Sequence, residues 1–488
     1  MRTLATLTCS LLLLAGVATA ENWPHWRGPS RNGVSGEVGL PSSWGAKCAT
    51  ASLDSPQIPF GPRSNPVAAL VTQRGERGGG GGGGGGFGGF GGGRPLIPLN
   101  CTEFVENNIA WKLRLPAYSG STPIIWGDMI FLNMATEANR GELELWAISR
   151  RTRSVAWQRK LALTNHMENK QNMSTPSPVT DGRHVWVMTG VGVLKAFDFA
   201  GNEVWARNIQ GEYGQFGLNW GYASSPLLHG NALYVQVLHG MKTDDPSYVL
   251  KIDKATGKTL WRVERLTDAI SESPDSYTTP AWIEANGRAE LIITGGDVVS
   301  GHDPETGREY WRADVLNPQD DRSYRIVASP TIVGDLIIAP TRNNPLVAVK
   351  PGGSGDVAKT HIVWSFAQGP DVPTPVSDGT LLYIVRDNGV VFALDVKTGK
   401  TVYGPERLPP GTYSASPILA DGKIYVTTEA EGVTTVFRAG PKFEVLSSNS
   451  LADDCSPYCL STVAVSEGQL FLRTASYLWV IGERKGGD

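Results

Sequence analysis

No stretch of this 488-residue chain is apolar for long enough to cross a bilayer; its one concentrated apolar run, Leu11 to Val17, is too short. Charge of one sign is not in excess either. With 44 Lys and Arg against 47 Asp and Glu, there is no broad electrostatic handle for nucleic acid or an anionic membrane surface. Histidine is scarce, and its seven copies are scattered without an HExxH pair or a Cys/His cluster at zinc spacing. No GxSxG elbow is present to place a serine nucleophile. The acidic pairs Asp244-Asp245, Asp320-Asp321 and Asp453-Asp454 lack a full calcium-ligand spacing and read as loop acids. Helical periodicity is nearly missing.

What is present is glycine (58), proline (32) and tryptophan (15), the composition of many short strands joined by turns. The N-terminus reads as an export signal over residues 1–20. Arg2 is followed by the short apolar core and by Ala18-Thr19-Ala20, a small-x-small cleavage pattern before Glu21. The expected mature protein is periplasmic or secreted, with no transmembrane segment. It keeps four cysteines: Cys48, Cys101, Cys455 and Cys459. Four cysteines allow three connectivities; the expected bridges are Cys48–Cys101 and Cys455–Cys459. A lead segment, 21–46, precedes an insertion at 47–106 that fits no pattern elsewhere in the chain. The insertion contains nine consecutive glycines, Gly78 to Gly86, followed by Phe87 and Phe90. Such a stretch has much backbone entropy to lose and little to bury, so a largely disordered surface loop is expected.

From residue 107 onward the chain repeats. Units open on a small residue and proline: "STPIIWGDMIFL" from Ser121, "STPSPVTDGRHVWVM" from Ser174, "SSPLLHGNALYVQV" from Ser224, and "TTPAWIEANGRAELIIT" from Thr278. "ASPTIVGDLIIAP" from Ala328, "PTPVSDGTLLYIV" from Pro373 and "ASPILADGKIYVTT" from Ala415 follow. "LSTVAVSEGQLFLRT" from Leu460 is an eighth unit without the proline. The spacing is in the range of propeller blades. Within a unit, an apolar run, a tight turn and a second run make a hairpin. A third strand ends at Asp253, Asp303 or Asp395, placed to accept hydrogen bonds from the turn that follows. Gly257, Gly307 and Gly399 supply positive φ in that turn. Trp261, Trp311 and Tyr403 then come on the fourth strand, where a wide aromatic fills the wedge between diverging sheets.

The phrases "DKATGKTLW" and "DVKTGKTVY" end like a phosphate-binding loop. That loop needs a glycine five residues before the GK glycine, and Ile252 and Leu394 stand there instead. These are turns. The last unit lacks a fourth strand, whereas "NNIAWKLRLP" from Asn107 is a tryptophan-bearing strand with no unit before it. The expected fold is therefore all-β: an eight-bladed β-propeller over 107–488, its last blade completed by the N-terminal strand.

The small residue–x–Asp–x–x–Thr–Gly–x–x–x–Trp phrase, in "KIDKATGKTLW", "GHDPETGREYW" and "ALDVKTGKTVY", resembles the repeat of the PQQ-like β-propeller family. That family is related in fold to quinoprotein alcohol dehydrogenases and is similar to the propeller subunit of the outer-membrane barrel-assembly machinery. "NWPHWRGPSRNGVSGE" resembles the lead segment of exported members. For the dehydrogenases, the resemblance implies PQQ and calcium beneath a pair of adjacent cysteines. This sequence departs there, since three residues separate Cys455 from Cys459. The expectation is a non-enzymatic binding or assembly scaffold without a cofactor, acting on a protein or a small polar ligand. A divergent PQQ-dependent oxidoreductase and a carbohydrate-binding propeller are the alternatives. Residues just before each inner strand should gather at the channel mouth: Trp220, Tyr277, Arg325, Asp371, Tyr413 and Tyr458. Aromatics with one cation and one carboxylate suit a sugar, a peptide or a planar ligand.

Overall fold

Each repeat folds as a four-stranded antiparallel sheet, and eight such sheets form a ring. The computed structural model describes residues 21–48, 104–451 and 456–484. The expected export signal (residues 1–20), the glycine run, Cys101, Cys455 and the side chain of Cys48 lie outside the described residues, and the expected Cys48–Cys101 bridge with them. The first blade comprises Ile124–Trp126, Met129–Ala135, Leu143–Ser149 and Ser154–Ala162. The inner strands of blades two to eight begin at Val179, Leu227, Ala281, Thr331, Val376, Ile418 and Ala464. Proline, which cannot donate to a ladder, precedes the inner strand in seven of the eight. Middle strands such as Ala232–Val237 are buried throughout, because neighbouring sheets cover both of their faces.

The recurring turn links one blade to the next. Asp253 Oδ1 accepts from the backbone N–H of Thr256 at 2.8 Å and from its hydroxyl at 2.7 Å. Asp395 does the same with Thr398, and Asp303 accepts from Glu305 N and Thr306 Oγ1. The turn glycine then sits under an indole of the preceding blade. Gly257 has φ +72°, and a Cβ there would come 2.6 Å from Trp205, so glycine is required by conformation and by space together. Indole N–H groups donate across the same joints: Trp157 to Phe199 O, Trp205 to Lys254 O, Trp261 to Pro304 O and Trp364 to Val396 O, at 2.8–3.1 Å. Trp311 differs. Its N–H donates 2.7 Å to Glu290 of its own blade, and the short strand Gly355–Asp356 pairs in parallel beside it. Tyr403, which stands where other blades have tryptophan, packs against Phe443 with ring centroids 5.9 Å apart.

The ring closes where front and tail of the repeat array meet. Ile109–Arg114 pairs antiparallel with Tyr477–Ile481, setting Trp111 opposite Val480 and Leu113 opposite Leu478. Arg473 crosses this last joint fully buried, donating to Asn133 O at 2.9 Å, and burial pushes its pKa down to about 9. Residues 45–48 and 104–107 pair as a two-stranded ribbon that brings the ends of the insertion together.

One expectation is corrected. Cys459 is a free thiol, 1% exposed and donating to Ser461 O, so no Cys455–Cys459 bridge forms. It sits in the apolar cluster between the last blade and the first, and burial pushes its pKa up to about 12.

Two buried histidines each weaken the fold in acid. Burial, reinforced by Arg31 and Arg27, lowers His25 from 6.5 to about 3; burial and Arg265 lower His302 to about 4. Both are neutral in the folded ring and free to protonate once unfolded. Their contribution is complete above pH 6.5 and is lost as pH falls from 6.5 toward 4, at about 1.4 kcal/mol per pH unit for each group. Urea unfolding at pH 7 and pH 5 should show the loss, with a shallower dependence in His302→Gln.

Candidate functional site

The lead segment turns the ring's central channel into a floored cavity. It has no repeat of its own and takes its partners from the ends of the inner strands. Trp23 exchanges backbone hydrogen bonds with Ile125 of blade one, and Pro24 O accepts from Thr180 of blade two. Arg31 donates to Leu228 O of blade three. Arg27 donates 2.7 Å to Pro375 O of blade six and 2.7 Å to Pro417 O of blade seven. Val34–Ser35 then pairs in parallel with the inner strand of blade seven, and the Glu37 carboxylate receives Glu467 N and Gly468 N of blade eight. On the side of blades four and five a smaller hollow of about 170 Å³ remains, lined by Arg31, Trp282 and Ile332 among others. Trp26 lines this hollow and also the main cavity, about 840 Å³ in volume, and so forms the floor between them.

Above the floor runs a belt of eight hydroxyls, one from each blade. Thr122 N donates to Ser177 Oγ, Ser177 N to Ser225 Oγ, Ser225 N to Thr279 Oγ1, and Thr279 N to Ser329 Oγ. Ser329 N continues to Thr374 Oγ1, Thr374 N to Ser416 Oγ, and Ser416 N to Thr462 Oγ1. Thr462 N returns to Thr122 Oγ1, so the belt is closed, with every link between 2.9 and 3.4 Å. All eight residues line the cavity, and each is at least 94% buried.

Five of the six expected mouth residues line this cavity: Trp220, Tyr277, Arg325, Asp371 and Tyr458. Tyr413 does not. Its ring is fully buried between blades six and seven, with the hydroxyl on Pro409 O at 2.7 Å. Trp220 is fixed from three sides: its backbone N–H donates to Tyr277 OH at 3.0 Å, its indole N–H donates 2.9 Å to Glu272, and Arg325 lies over its ring at 4.9 Å. Arg325 is also 3.7 Å from Glu272. Tyr458 donates 3.0 Å to Glu429, which pairs with Lys170 at 3.0 Å and receives the Ser414 hydroxyl. Burial works against the Glu429 carboxylate, but Lys170 and these hydrogen bonds outweigh it and hold the group below its ordinary range.

Asp371 has the opposite setting. Its backbone is left-handed at φ +63°, and Oδ1 is buried without a donor. Burial and the facing Asp387 push its pKa up, against the pull of Arg325, Arg342 and Lys170. Lys170, Arg342, Asp387, Glu429 and the floor residue Trp26 also line the cavity and were not anticipated from sequence. Lys170 and Glu429 lie 259 positions apart, and only ring closure brings them together. The belt did leave a signal: the residue before the inner-strand proline is Ser or Thr in all seven units that have one, and Thr462 holds that place in the eighth, where smallness alone would also admit Ala or Gly.

The family model described as outer membrane protein assembly factor BamB matches residues 69–215 and 166–405. No curated protein sequence matches the chain. Among solved structures, BamB from Moraxella catarrhalis is similar at 15% identity and TM-score 0.54, over 78% of this chain and 98% of that one. A europium-containing methanol dehydrogenase is similar at 12% identity and TM-score 0.58, over 77% and 93%. The quinohemoprotein alcohol dehydrogenase of Comamonas testosteroni follows at 10% identity and TM-score 0.55, over 78% and 77%. At these identities the likeness is one of fold.

Proposed function

The chain belongs to the PQQ-like β-propeller family whose model is described as outer membrane protein assembly factor BamB, and from its floored channel we propose that it is an exported, non-catalytic binding propeller that takes a small polar ligand. The observation carrying this reading is the cavity itself. Its volume of about 840 Å³ suits a small molecule, and its wall combines a polar belt with aromatic and charged groups converging at the mouth. The export signal and the lead segment support a periplasmic or secreted location.

The oxidoreductase alternative needs a quinone and a calcium ion held by side chains. Among the described residues no three His, Cys, Asp or Glu groups come together to hold a metal ion. At the mouth, Glu429 is committed to Lys170, Ser414 and Tyr458. Glu429 is therefore not free to serve as a calcium ligand, which favours the non-catalytic reading. A protein-assembly role is the second reading, favoured by the BamB family match, and it would use the blade rims rather than the channel.

Tryptophan fluorescence of the mature protein, screened against small polar metabolites, separates these readings. A saturable change through Trp26 and Trp220, weakened in Val327→Trp, whose indole takes up part of the cavity, is the expected result. Dye reduction with added PQQ and calcium, or capture of a partner protein that Val327→Trp leaves unchanged, would overturn it.

A further inference from the structure

The hydroxyl belt and the two mouth carboxylates make complementary demands on a ligand. Each belt hydroxyl already accepts a backbone N–H from the blade before it. A hydroxyl in that position has its proton left to donate, directed away from the bonded nitrogen. None of the eight protons finds a protein acceptor among the described residues. The waist of the cavity is thus a ring of hydrogen-bond donors, in a setting where unpaired polar groups are costly. Only an acceptor-rich group, above all an anionic oxygen group, can use several of them at once.

The mouth asks for the reverse. Among the described residues no protein donor reaches the side chain of Asp371, whose Oδ1 is buried, or of Asp387, and both line the cavity. Three cations are nearby, but Lys170 is engaged by Glu429, Arg325 faces Glu272, and Arg342 donates to Ser323. The carboxylates therefore lack donors although the mouth does not lack positive charge. A group that brings its own N–H donors satisfies them.

We propose that the channel binds a small zwitterion of the amino-acid class, its acid end seated in the Ser/Thr belt and its amine end held by Asp371 and Asp387. This rests on the reading of the channel as a small-ligand site and specifies its chemistry. A sugar would meet the belt with hydroxyls but would bring no charge to either end. A simple carboxylate or a simple amine would satisfy one end and leave the other unpaired.

The test is calorimetry on the full mature protein with the ω-amino acids from glycine to 6-aminohexanoate. Butyrate, propylamine and glucose serve as the acid, amine and neutral arms. One member of the series should bind at least tenfold more tightly than either butyrate or propylamine, and the preferred length reads the span from belt to mouth. Asp371→Asn should weaken that member and propylamine but not butyrate. The double variant Ser225→Ala/Ser329→Ala should weaken that member and butyrate but not propylamine, and Ser225→Thr/Ser329→Thr should restore both; thermal melting checks that each variant folds. Tight glucose binding indifferent to all these substitutions would overturn the zwitterion while leaving the channel as a ligand site. If no arm binds and the fluorescence screen is also silent, both readings fall.

Discussion

Trp23→Ala will unfold at markedly lower urea than the parent protein, with a loss of about 3–5 kcal/mol. The indole is wholly buried and belongs to the cluster that unites the first, seventh and eighth blades with the lead segment. It also lies against Gly28, where a Cβ would come 2.7 Å from the ring, so the loop has no side chain with which to fill the space. Truncation leaves a cavity beside the backbone bridge to Ile125, and the floor that depends on that bridge should loosen. Quenching of Trp26 by acrylamide reports the floor separately from global unfolding and should rise in Trp23→Ala under native conditions. Trp23→Phe, which keeps most of the apolar contact, should retain most of the stability. An unchanged urea midpoint in Trp23→Ala would show that the lead segment merely rests on the ring.

Breaking the closing strand should have a still larger effect. Lys112→Pro/Leu113→Pro removes at least one ladder hydrogen bond to Trp479 and Leu478, because successive N–H groups of a strand alternate in direction and one of the two must face the partner. The strand so released, Tyr477–Ile481, reads YLWVI and is buried over its last four residues. Exposed as a sheet edge, that sequence would template pairing between molecules. The expected outcome is concentration-dependent oligomers on size-exclusion chromatography, together with a lower melting temperature. A monomer with parental stability would mean that the ring does not need this strand.

The blades were legible because each contains its own instructions. The proline-led run, the tight turn and the Asp-x-x-Thr-Gly turn act over a few residues, so local chemistry suffices to read them. Ring closure was legible too, since the last unit lacks one strand and Asn107 begins a spare one. The fate of Cys459 was not. Closeness in sequence to Cys455 suggested a bridge, whereas the fold buries the thiol against apolar neighbours from the next blade. Tyr413 fails for a related reason. It precedes its belt residue Ser416 by three positions, between Tyr277, two before Thr279, and Tyr458, four before Thr462, but nearness to the inner strand does not fix the direction of the ring. The floor was invisible because the lead segment has no period and is specified by the assembled ring beneath it. The belt was half visible: a run of small residues was noticed, and the hydroxyl common to all eight went unread.

The last joint decides when the molecule can finish folding. Arg473 reaches Asn133 across 340 positions of chain, and Arg114 reaches Tyr477 across 363. Such distant partners make closure a late and slow event. Until the tail is available, the earliest part of the array can form hairpins but must keep one flank waiting, so the most vulnerable interval lies between formation of the first blade and arrival of the eighth.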